Sequence, residues 1–294
     1  MKNTGVFYHD ICGEDAYSSL AMGVAEGFQG IKDEGLFSYP NITYYESRPA
    51  LESEIARIHS PDWIAQVKRG QYWRCSLYSI GGVLEATEKV LSGELDNAFV
   101  IAGVGGHHAH RDSAWGGCYF SVTGLAIPHA REKTGYRRFA IVDTDTHHAD
   151  GVRDIFKEDD NVLHICFCGE QYSWDDSPGS KVENRTKLCF PHGSSNAGEI
   201  ENVQREVPER IKEFKPDMVF WICGMDTHCD SYGTQALTEK AYPGLAKVIK
   251  AAADATCGGK LIVKTCCNAP PHATSYAVPR IVACLAEVDK YSDE

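Results

Sequence analysis

Short apolar runs alternate with amphipathic stretches along this chain, and this alternation constrains the fold more than any other feature of the sequence. Five runs predict buried strands: Ala98–Gly103, Arg138–Val142, Val162–Phe167, Met218–Cys223 and Leu261–Lys264. Three stretches predict helices: Gly82–Leu91, Ile200–Phe214 and Thr238–Ala255, the last with Thr238 as its N-cap. Such alternation is typical of a three-layer α/β/α fold with a mainly parallel sheet. No repeat or linker divides the chain, so we expect a single α/β domain over residues 1–294.

Polar and ionisable residues follow four of the predicted strands. They lie in the segments Gly105–His108, Asp143–His148, Gly224–His228 and Thr265–Asn268. In open α/β sheets, ligands bind outside the carboxyl ends of the strands. We therefore expect these four segments to meet in one functional site.

The segment Asp-Thr-Asp-Thr-His-His contains two candidate metal ligands. Asp145 and His147 are two residues apart, so in an extended segment their side chains point to the same side and can reach one ion. Asp226 follows a strand and a glycine, and it is the natural third ligand. Two carboxylates and one imidazole suit Zn²⁺ with a position left for water, although such ligands also accept Fe²⁺. The alternative is a polar loop whose carboxylates cap a helix.

Two adjacent histidines preceded by glycines are candidates for proton transfer. A water that attacks a carbonyl needs one group to accept its proton and another to protonate the leaving amine, and His107 and His108 could do both. Asp143 and Asp150 could each hold one histidine by its far ring nitrogen. The alternatives are an ordinary polar loop for the histidines and an N-cap for Asp150.

Composition excludes some partners. The net charge of −12 and the absence of dense basic runs argue against nucleic acid. No apolar stretch is long enough for a membrane span, and the first residues lack the apolar core of a signal peptide, so we expect a cytoplasmic protein. The 12 cysteines lack the spacing of zinc knuckles, and we expect them to be reduced. A homo-oligomer is compatible with the sequence.

At this point the chain resembles the zinc-dependent histone deacetylase family of the arginase–deacetylase superfamily, over nearly its whole length. Four segments carry the resemblance: Ser53–Trp63, Gly106–Ala109, Asp143–Gly151 and Gly224–Gly233. The resemblance implies zinc ligands at Asp145, His147 and Asp226, an acid/base pair at His107 and His108, and orienting carboxylates at Asp143 and Asp150. It also implies a structural K⁺ held by backbone oxygens of Asp143, Asp145, His147 and Phe167.

Three departures from the family pattern bear on function. Cys267 stands where the family has a tyrosine whose hydroxyl polarises the substrate carbonyl; either His272 or Tyr276 replaces it, or the substrate supplies its own polarising group. Gly117 stands where the family has a phenylalanine that lines the tube around the acyl-lysine, so we expect a wider pocket. Trp115 either fills part of this pocket or serves only as a packing residue. The family's loop after the next strand is replaced by Gly169–Asp176, which carries acids and aromatics.

These observations predict a metal-dependent hydrolase that cleaves the amide bond of an N-acylated amine. The acidic chain and the absent tube wall favour a small metabolite or a polyamine over an acyl-lysine in a histone tail. Two alternatives stay open. One is different chemistry on the same metal scaffold with Cys267 as nucleophile, since a thiolate near a cation has a depressed pKa. The other is a non-catalytic homologue that binds acylated ligands.

Overall fold

A computed structural model of the chain describes residues 1–17, 22–168 and 183–291. Its centre is a parallel sheet of eight strands in the order β2-β1-β3-β8-β7-β4-β5-β6. The strands are β1 (Thr4–Tyr8), β2 (Ile42–Glu46), β3 (Asn97–Val100), β4 (Phe139–Asp143), β5 (Val162–Phe167), β6 (Lys187–Phe190), β7 (Met218–Cys223) and β8 (Leu261–Thr265).

Two groups of helices pack on this sheet. Within the described residues, the helices are α1 (Ile11–Glu14), α2 (Val24–Asp33), α3 (Glu52–Ile55), α4 (Pro61–Lys68), α5 (Trp73–Ser92), α6 (Val122–Lys133), α7 (Asp150–Phe156), α8 (Asn196–Phe214), α9 (Ala241–Cys257) and α10 (Pro271–Ala286), with a 3₁₀ turn at Leu36–Ser38. Helices α8, α9, α10 and α2 pack in series, and α5 packs against α6. Both α5 and α10 contact β1 and β3, with the sheet between the two groups. The predicted α/β fold with a parallel sheet is confirmed; one domain over residues 1–294 stays a prediction.

The central strands are fully buried, as strands covered on both faces must be. Every residue of β3, β4, β5, β7 and β8 is buried. Their continuous apolar sequences, without polar alternation, follow from this double burial. All five predicted strands are confirmed to within a few residues at their ends.

One predicted helix boundary is wrong. Helix α9 begins at Ala241 and is preceded by Lys240, so Thr238 is not its N-cap. The Thr238 carbonyl accepts a hydrogen bond from Ala241 N in a turn, and its hydroxyl accepts one from Asn196 at the start of α8. The threonine therefore joins two helix ends instead of capping one. Helix α5 is also longer than predicted, beginning at Trp73.

The sheet order places the four polar segments side by side. Strands β3, β8, β7 and β4 are consecutive neighbours, and all run in the same direction, so their carboxyl ends share one edge. The segments that follow them therefore meet, as the sequence predicted. Among the described residues, no helix combines the length and the apolar character needed to cross a membrane.

Candidate metal and catalytic site

The segment after β4 folds back on itself through its own carboxylates. Asp143 Oδ1 accepts a hydrogen bond from Asp145 N at 2.9 Å, and Asp145 Oδ1 accepts one from His147 N at 3.0 Å. Aspartates commonly close such local turns, because the short side chain reaches the backbone N–H two residues ahead. The two turns bring Asp145 and His147 to the same place.

Three side chains converge there as a candidate cation site. His147 Nδ1 lies 3.0 Å from Asp145 Oδ1 and 3.0 Å from Asp226 Oδ2. Both aspartates are fully buried, and among the described residues Asp145 Oδ2 has no hydrogen-bond partner. Buried carboxylate oxygens need compensation by hydrogen bonds or a cation. The donor set of two carboxylates and an imidazole therefore fits a divalent ion such as Zn²⁺.

Electrostatics at His147 point the same way. Burial opposes protonation of this imidazole, but hydrogen bonding to Asp145 and Asp226 outweighs burial and raises its pKa to about 10. Two buried carboxylates thus attract a positive charge at this point. In the chain alone a proton satisfies that demand, and a metal ion would satisfy it better.

The end of β7 approaches this segment closely, which fixes Asp226. A Cβ on Gly224 would lie 2.3 Å from the Asp145 Cα, so no larger residue fits at this position. Asp226 Oδ1 accepts a hydrogen bond from Thr146 N at 3.1 Å, which turns Oδ2 towards His147. Position 224 therefore requires glycine, because the chain segments that carry Asp145 and Asp226 approach each other closely there.

Two buried histidine–aspartate pairs border the candidate cation site. His107 Nδ1 lies 3.1 Å from Asp143 Oδ2, and His108 Nδ1 lies 2.6 Å from Asp150 Oδ1. All four side chains are buried. His107 Nε2 lies 3.5 Å from Asp145 Oδ1 and has no hydrogen-bond partner within the described part of the chain. Each aspartate therefore binds one ring nitrogen of its histidine, and the second ring nitrogen of that histidine stays available for proton transfer.

The two histidines have opposite electrostatic surroundings. Burial and the neighbouring His107 lower the pKa of His108 to about 3. Burial also opposes a charge on His107, but the acidic groups of Cys266, Asp145 and Asp143 raise its pKa well above its ordinary value. At neutral pH, His108 is therefore the neutral member of the pair.

Trp115 belongs to this site. Its ring stacks on His108 with 3.6 Å between centroids, and its indole N–H donates to Asp150 Oδ2 at 2.7 Å. Gly116 follows with φ of +59°, and a Cβ there would lie 3.0 Å from His108 Cδ2. Asp150 is thus held by a histidine and a tryptophan at once. It is the first residue of α7, whose N-cap position is Ala149.

The end of β8 supports the histidine loop and carries Cys267. The buried Lys264 ammonium donates to the carbonyls of Val104 and Gly105, and Thr265 Oγ1 accepts from Ala102 N at 2.9 Å. The Cys267 thiol lies within 4.8 Å of the ligand atoms of the candidate cation site. The structure thus brings together every predicted site residue, Cys267 included.

A comparison with known families decides the relationship. The model of the histone deacetylase domain matches residues 69–265, which is more than half of the chain. The chain belongs to the histone deacetylase family. Relatives in this family include a probable deacetylase of Archaeoglobus fulgidus, 26% identical over 79% of this chain and 70% of the relative. A histone deacetylase-like amidohydrolase of Pseudomonas aeruginosa is 27% identical over 73% of this chain and 63% of the relative.

Some members of the family are named for polyamine substrates. The polyamine deacetylase HDAC10 of Mus musculus is 26% identical over 72% of this chain, but only 36% of that longer protein is matched. The acetylpolyamine amidohydrolase of Burkholderia pseudomallei is 30% identical over 61% of this chain and 54% of the relative. Several relatives are thus matched over less than two thirds of their own length. Together the relatives support an enzyme that hydrolyses amides of acylated amines.

The structure also places the residues proposed to replace the family's tyrosine. His272 is exposed and lies 3.4 Å from the Asp230 carboxylate, and the Tyr276 ring packs against the Arg280 guanidinium. A different residue, Tyr232, lies beside Cys267: burial and this neighbouring thiol raise the pKa of Tyr232, and its ring centroid lies 6.0 Å from that of His147. Sequence reasoning missed Tyr232, although it lies inside a quoted family motif. The predicted loop Gly169–Asp176 is outside the described residues.

His192 is a second residue that the sequence did not indicate. Its Nδ1 lies 3.0 Å from Glu199 Oε1, and its Nε2 donates to the Asp145 carbonyl at 3.0 Å. That carbonyl is one of the four oxygens predicted to hold K⁺ in this family. An ion there would share the oxygen with the imidazole, and the K⁺ site stays a prediction.

Proposed function

We propose that this chain hydrolyses the amide bond of an N-acylated amine, with an acetylated polyamine as the first candidate and a small metabolite or acyl-lysine as others. The observation that most strongly supports this proposal is the arrangement of Asp145, His147 and Asp226 beside two buried histidine–aspartate pairs. A binding module has no use for such an acid/base pair. This argues against the non-catalytic alternative.

In this proposal Asp145, His147 and Asp226 hold a divalent metal, taken to be Zn²⁺, although Fe²⁺ fits the same ligands. Such an ion supplies Lewis acidity and a water of lowered pKa. All other steps fall to the protein. Burial and the neighbouring His107 keep His108 neutral, so that it is available as a base.

His108 is the proposed base and acid. Because Asp150 binds its Nδ1, the free Nε2 accepts the proton of the attacking water and later delivers it to the leaving amine nitrogen. His107, which Asp143 holds in the same way, places positive charge beside the negative charge that develops on the substrate oxygen. We thus propose separate roles for the two histidines, which the sequence left shared between them.

Tyr232 is the proposed replacement for the family's tyrosine. It lies beside Cys267, the residue that stands where the family's tyrosine is expected. A phenol reaching this position from the β7 side can donate to the substrate carbonyl, which a short thiol does poorly. Cys267 then orients the phenol.

The exposed part of this segment supports a cationic substrate. Tyr232 is 42% exposed, and the Asp230 carboxylate two residues earlier is also exposed. An aromatic ring and a carboxylate both attract an ammonium group. The free amine of an acetylated polyamine would fit such surroundings.

The test is amine release from acetylated diamines, acetylated polyamines and acetyl-lysine peptides by the metal-loaded protein. We expect turnover on at least one of these, with the short cationic substrates preferred. Complete inactivity on the whole panel, by a protein shown to contain metal, would contradict the proposed reaction.

A second candidate reaction uses Cys267 as a nucleophile. It is favoured by one observation: this thiol lies within 4.8 Å of the ligand atoms of the candidate cation site. In that case Cys267→Ser would abolish turnover while metal content stays unchanged. In the favoured mechanism the same variant keeps most of its activity, because Tyr232 and not residue 267 donates to the substrate carbonyl.

A further inference from the structure

A second group of metal-binding side chains begins one residue beyond His147. Its four ligand atoms all lie within 4.8 Å of one another. We call this group the Cys3His cluster; it consists of His148, Cys166, Cys168 and Cys189. It is separate from the candidate active site, since none of its members belongs to the set Asp145, His147 and Asp226.

The fold assembles this cluster from three chain segments. Cys166 lies on β5, and Cys168 is the first residue after this strand. Because the two cysteines are two residues apart in extended backbone, their side chains point to the same face of the sheet. Cys189 on β6 is the register partner of Cys166, and Cys168 N donates to Phe190 O at 2.9 Å, which keeps both strands aligned. His148 arrives from the connection between β4 and α7.

The distances match tetrahedral coordination of one ion. His148 Nδ1 lies 3.4 Å from Cys168 Sγ and 3.4 Å from Cys189 Sγ. With Zn–S of about 2.3 Å and Zn–N of about 2.0–2.1 Å, a tetrahedral site has N···S edges of roughly 3.5 Å. The three thiol sulfurs also lie within 4.8 Å of one another. We propose that the Cys3His cluster binds a thiophilic divalent ion, Zn²⁺ by preference, as a closed structural site.

A buried arginine supplies the charge that such a site needs. Three thiolates around Zn²⁺ carry a net charge of −1, and a buried net charge requires a partner. Arg153 is fully buried and donates to Cys189 Sγ at 3.2 Å. The same guanidinium donates to Leu188 O and to His164 Nδ1, which hold it in place.

Packing alone does not account for this arrangement. Buried cysteines often act as small apolar residues, but an apolar cluster would not include an imidazole nitrogen and a guanidinium at hydrogen-bonding distance. A bound ion would tie the connection that carries His147 to β5 and β6. The site would therefore hold the active-site segment in place without touching the substrate.

The test uses Co²⁺ as the probe, because thiolate–Co²⁺ charge transfer absorbs in the near ultraviolet and oxygen ligands give no such band. The Asp226→Ala/Cys266→Ser/Cys267→Ser protein lacks one ligand and the two nearby thiols of the candidate active site. Reduced and stripped of metal, this protein should bind one equivalent of Co²⁺ with an intense thiolate band. Addition of Zn²⁺ should displace the Co²⁺ and abolish the band.

Variants in the same background assign the ligands. Cys168→Ser and Cys189→Ser should each lose the band or a large part of it, whereas Cys229→Ser, which removes an exposed thiol elsewhere, should keep it fully. Metal analysis of the wild type should give two equivalents per chain, and Asp226→Ala should lose only one. Absence of the band in the background protein, or formation of a disulfide among these thiols in its place, would overturn the proposal.

This outcome is independent of the proposed hydrolase activity. A thiolate band in a protein that does not hydrolyse amides would support the Cys3His cluster as a metal site and contradict the proposed reaction. Amide hydrolysis by a protein without the band would support the proposed reaction and contradict this metal site.

Discussion

At the scale of single residues, the proposed function depends on a buried carboxylate. Asp226 is fully buried and its Oδ2 lies 3.0 Å from His147 Nδ1, so this carboxylate is the proposed ligand for a cation. We expect Asp226→Ala to lose the active-site metal and amide hydrolysis together, as measured by metal analysis and amine release. Asp230→Ala, which removes an exposed carboxylate in the same loop, is the matched control and should keep the metal. Full activity in metal-free Asp226→Ala protein would rule out the assignment.

Tyr232 gives a second prediction at this scale. If its hydroxyl polarises the substrate carbonyl, Tyr232→Phe should lower kcat by about 10²–10³-fold, the usual cost of losing one oxyanion donor. Tyr276→Phe is the control and should leave kcat unchanged, since its ring packs on Arg280. Equal rates for Tyr232→Phe and the wild type would mean that another group polarises the carbonyl.

Trp115 gives a third prediction at this scale, which concerns the pH dependence of the reaction rate. Its N–H stabilises the negative charge of Asp150, so Trp115→Phe leaves that charge less compensated and raises the pKa of His108. Protonated His108 cannot act as a base. The acidic limb of the kcat/KM profile should therefore move to higher pH, while the rate at neutral pH changes little because the pKa of His108 is about 3 in the wild type. An unmoved acidic limb would show that Trp115 only packs.

At the scale of elements, helix α3 is held by one ion pair. Glu54 accepts from Arg48 Nη1 at 2.9 Å and Nη2 at 2.8 Å, and it also accepts from Leu51 N at 2.8 Å. Burial opposes ionisation of Glu54, but these bonds lower its pKa to about 2. Because this folded-state pKa is below the ordinary 4.5, the stabilisation is complete above pH 4.5 and is lost as the pH falls towards 2.

We expect Glu54→Gln to lower the free energy of unfolding by about 2 kcal/mol at pH 7, since a charged hydrogen-bond group is lost. The difference from the wild type should shrink between pH 4.5 and pH 2. Urea unfolding across this range is the measurement. Glu52→Gln, which affects an exposed pair with Lys68, should cost less than about 1 kcal/mol. A difference that does not vary with pH would contradict the ion-pair account.

The elements also show how far the sequence alone reaches. Five buried strands have continuous apolar sequences and were predictable, but β1 was missed although all of its residues are buried. Strand β2 was missed because its side chains are largely exposed and its sequence is Ile-Thr-Tyr-Tyr-Glu. Strand β6 has only four residues and begins with lysine. Short or half-exposed edge strands lack the periodicity on which prediction depends.

The candidate site was predictable where its residues follow strands directly, as Asp145, His147 and Asp226 do. Groups of residues that come from distant parts of the chain were not predictable. Cys166 and Cys168 were interpreted as small apolar residues, because nothing local links them to Cys189 or to His148. Only the pairing of β5 with β6 brings them together. Tyr232 was missed for the same reason, as its contact with Cys267 joins segments that follow two different strands.

At the scale of the whole molecule, bound metal should stabilise the fold. An ion that binds only the folded chain adds about 2.7 kcal/mol at a concentration 100 times its Kd. Removal of metal by a chelator should therefore lower Tm by several degrees, on the order of 5–10 °C. Differential scanning calorimetry before and after chelation measures this shift, and re-addition of Zn²⁺ should reverse it. Identical Tm values in both states would mean that neither proposed metal site is occupied.

The most direct test of the central claim is amide hydrolysis by metal-stripped wild-type protein as Zn²⁺ is returned, with an acetylated polyamine as substrate and Asp226→Ala protein treated in parallel. We predict no amine release from the stripped protein, recovery of turnover in the wild type as metal binds, and none in the variant at any metal concentration. Equal turnover with and without metal, or recovery in Asp226→Ala, would show that hydrolysis does not occur at Asp145, His147 and Asp226.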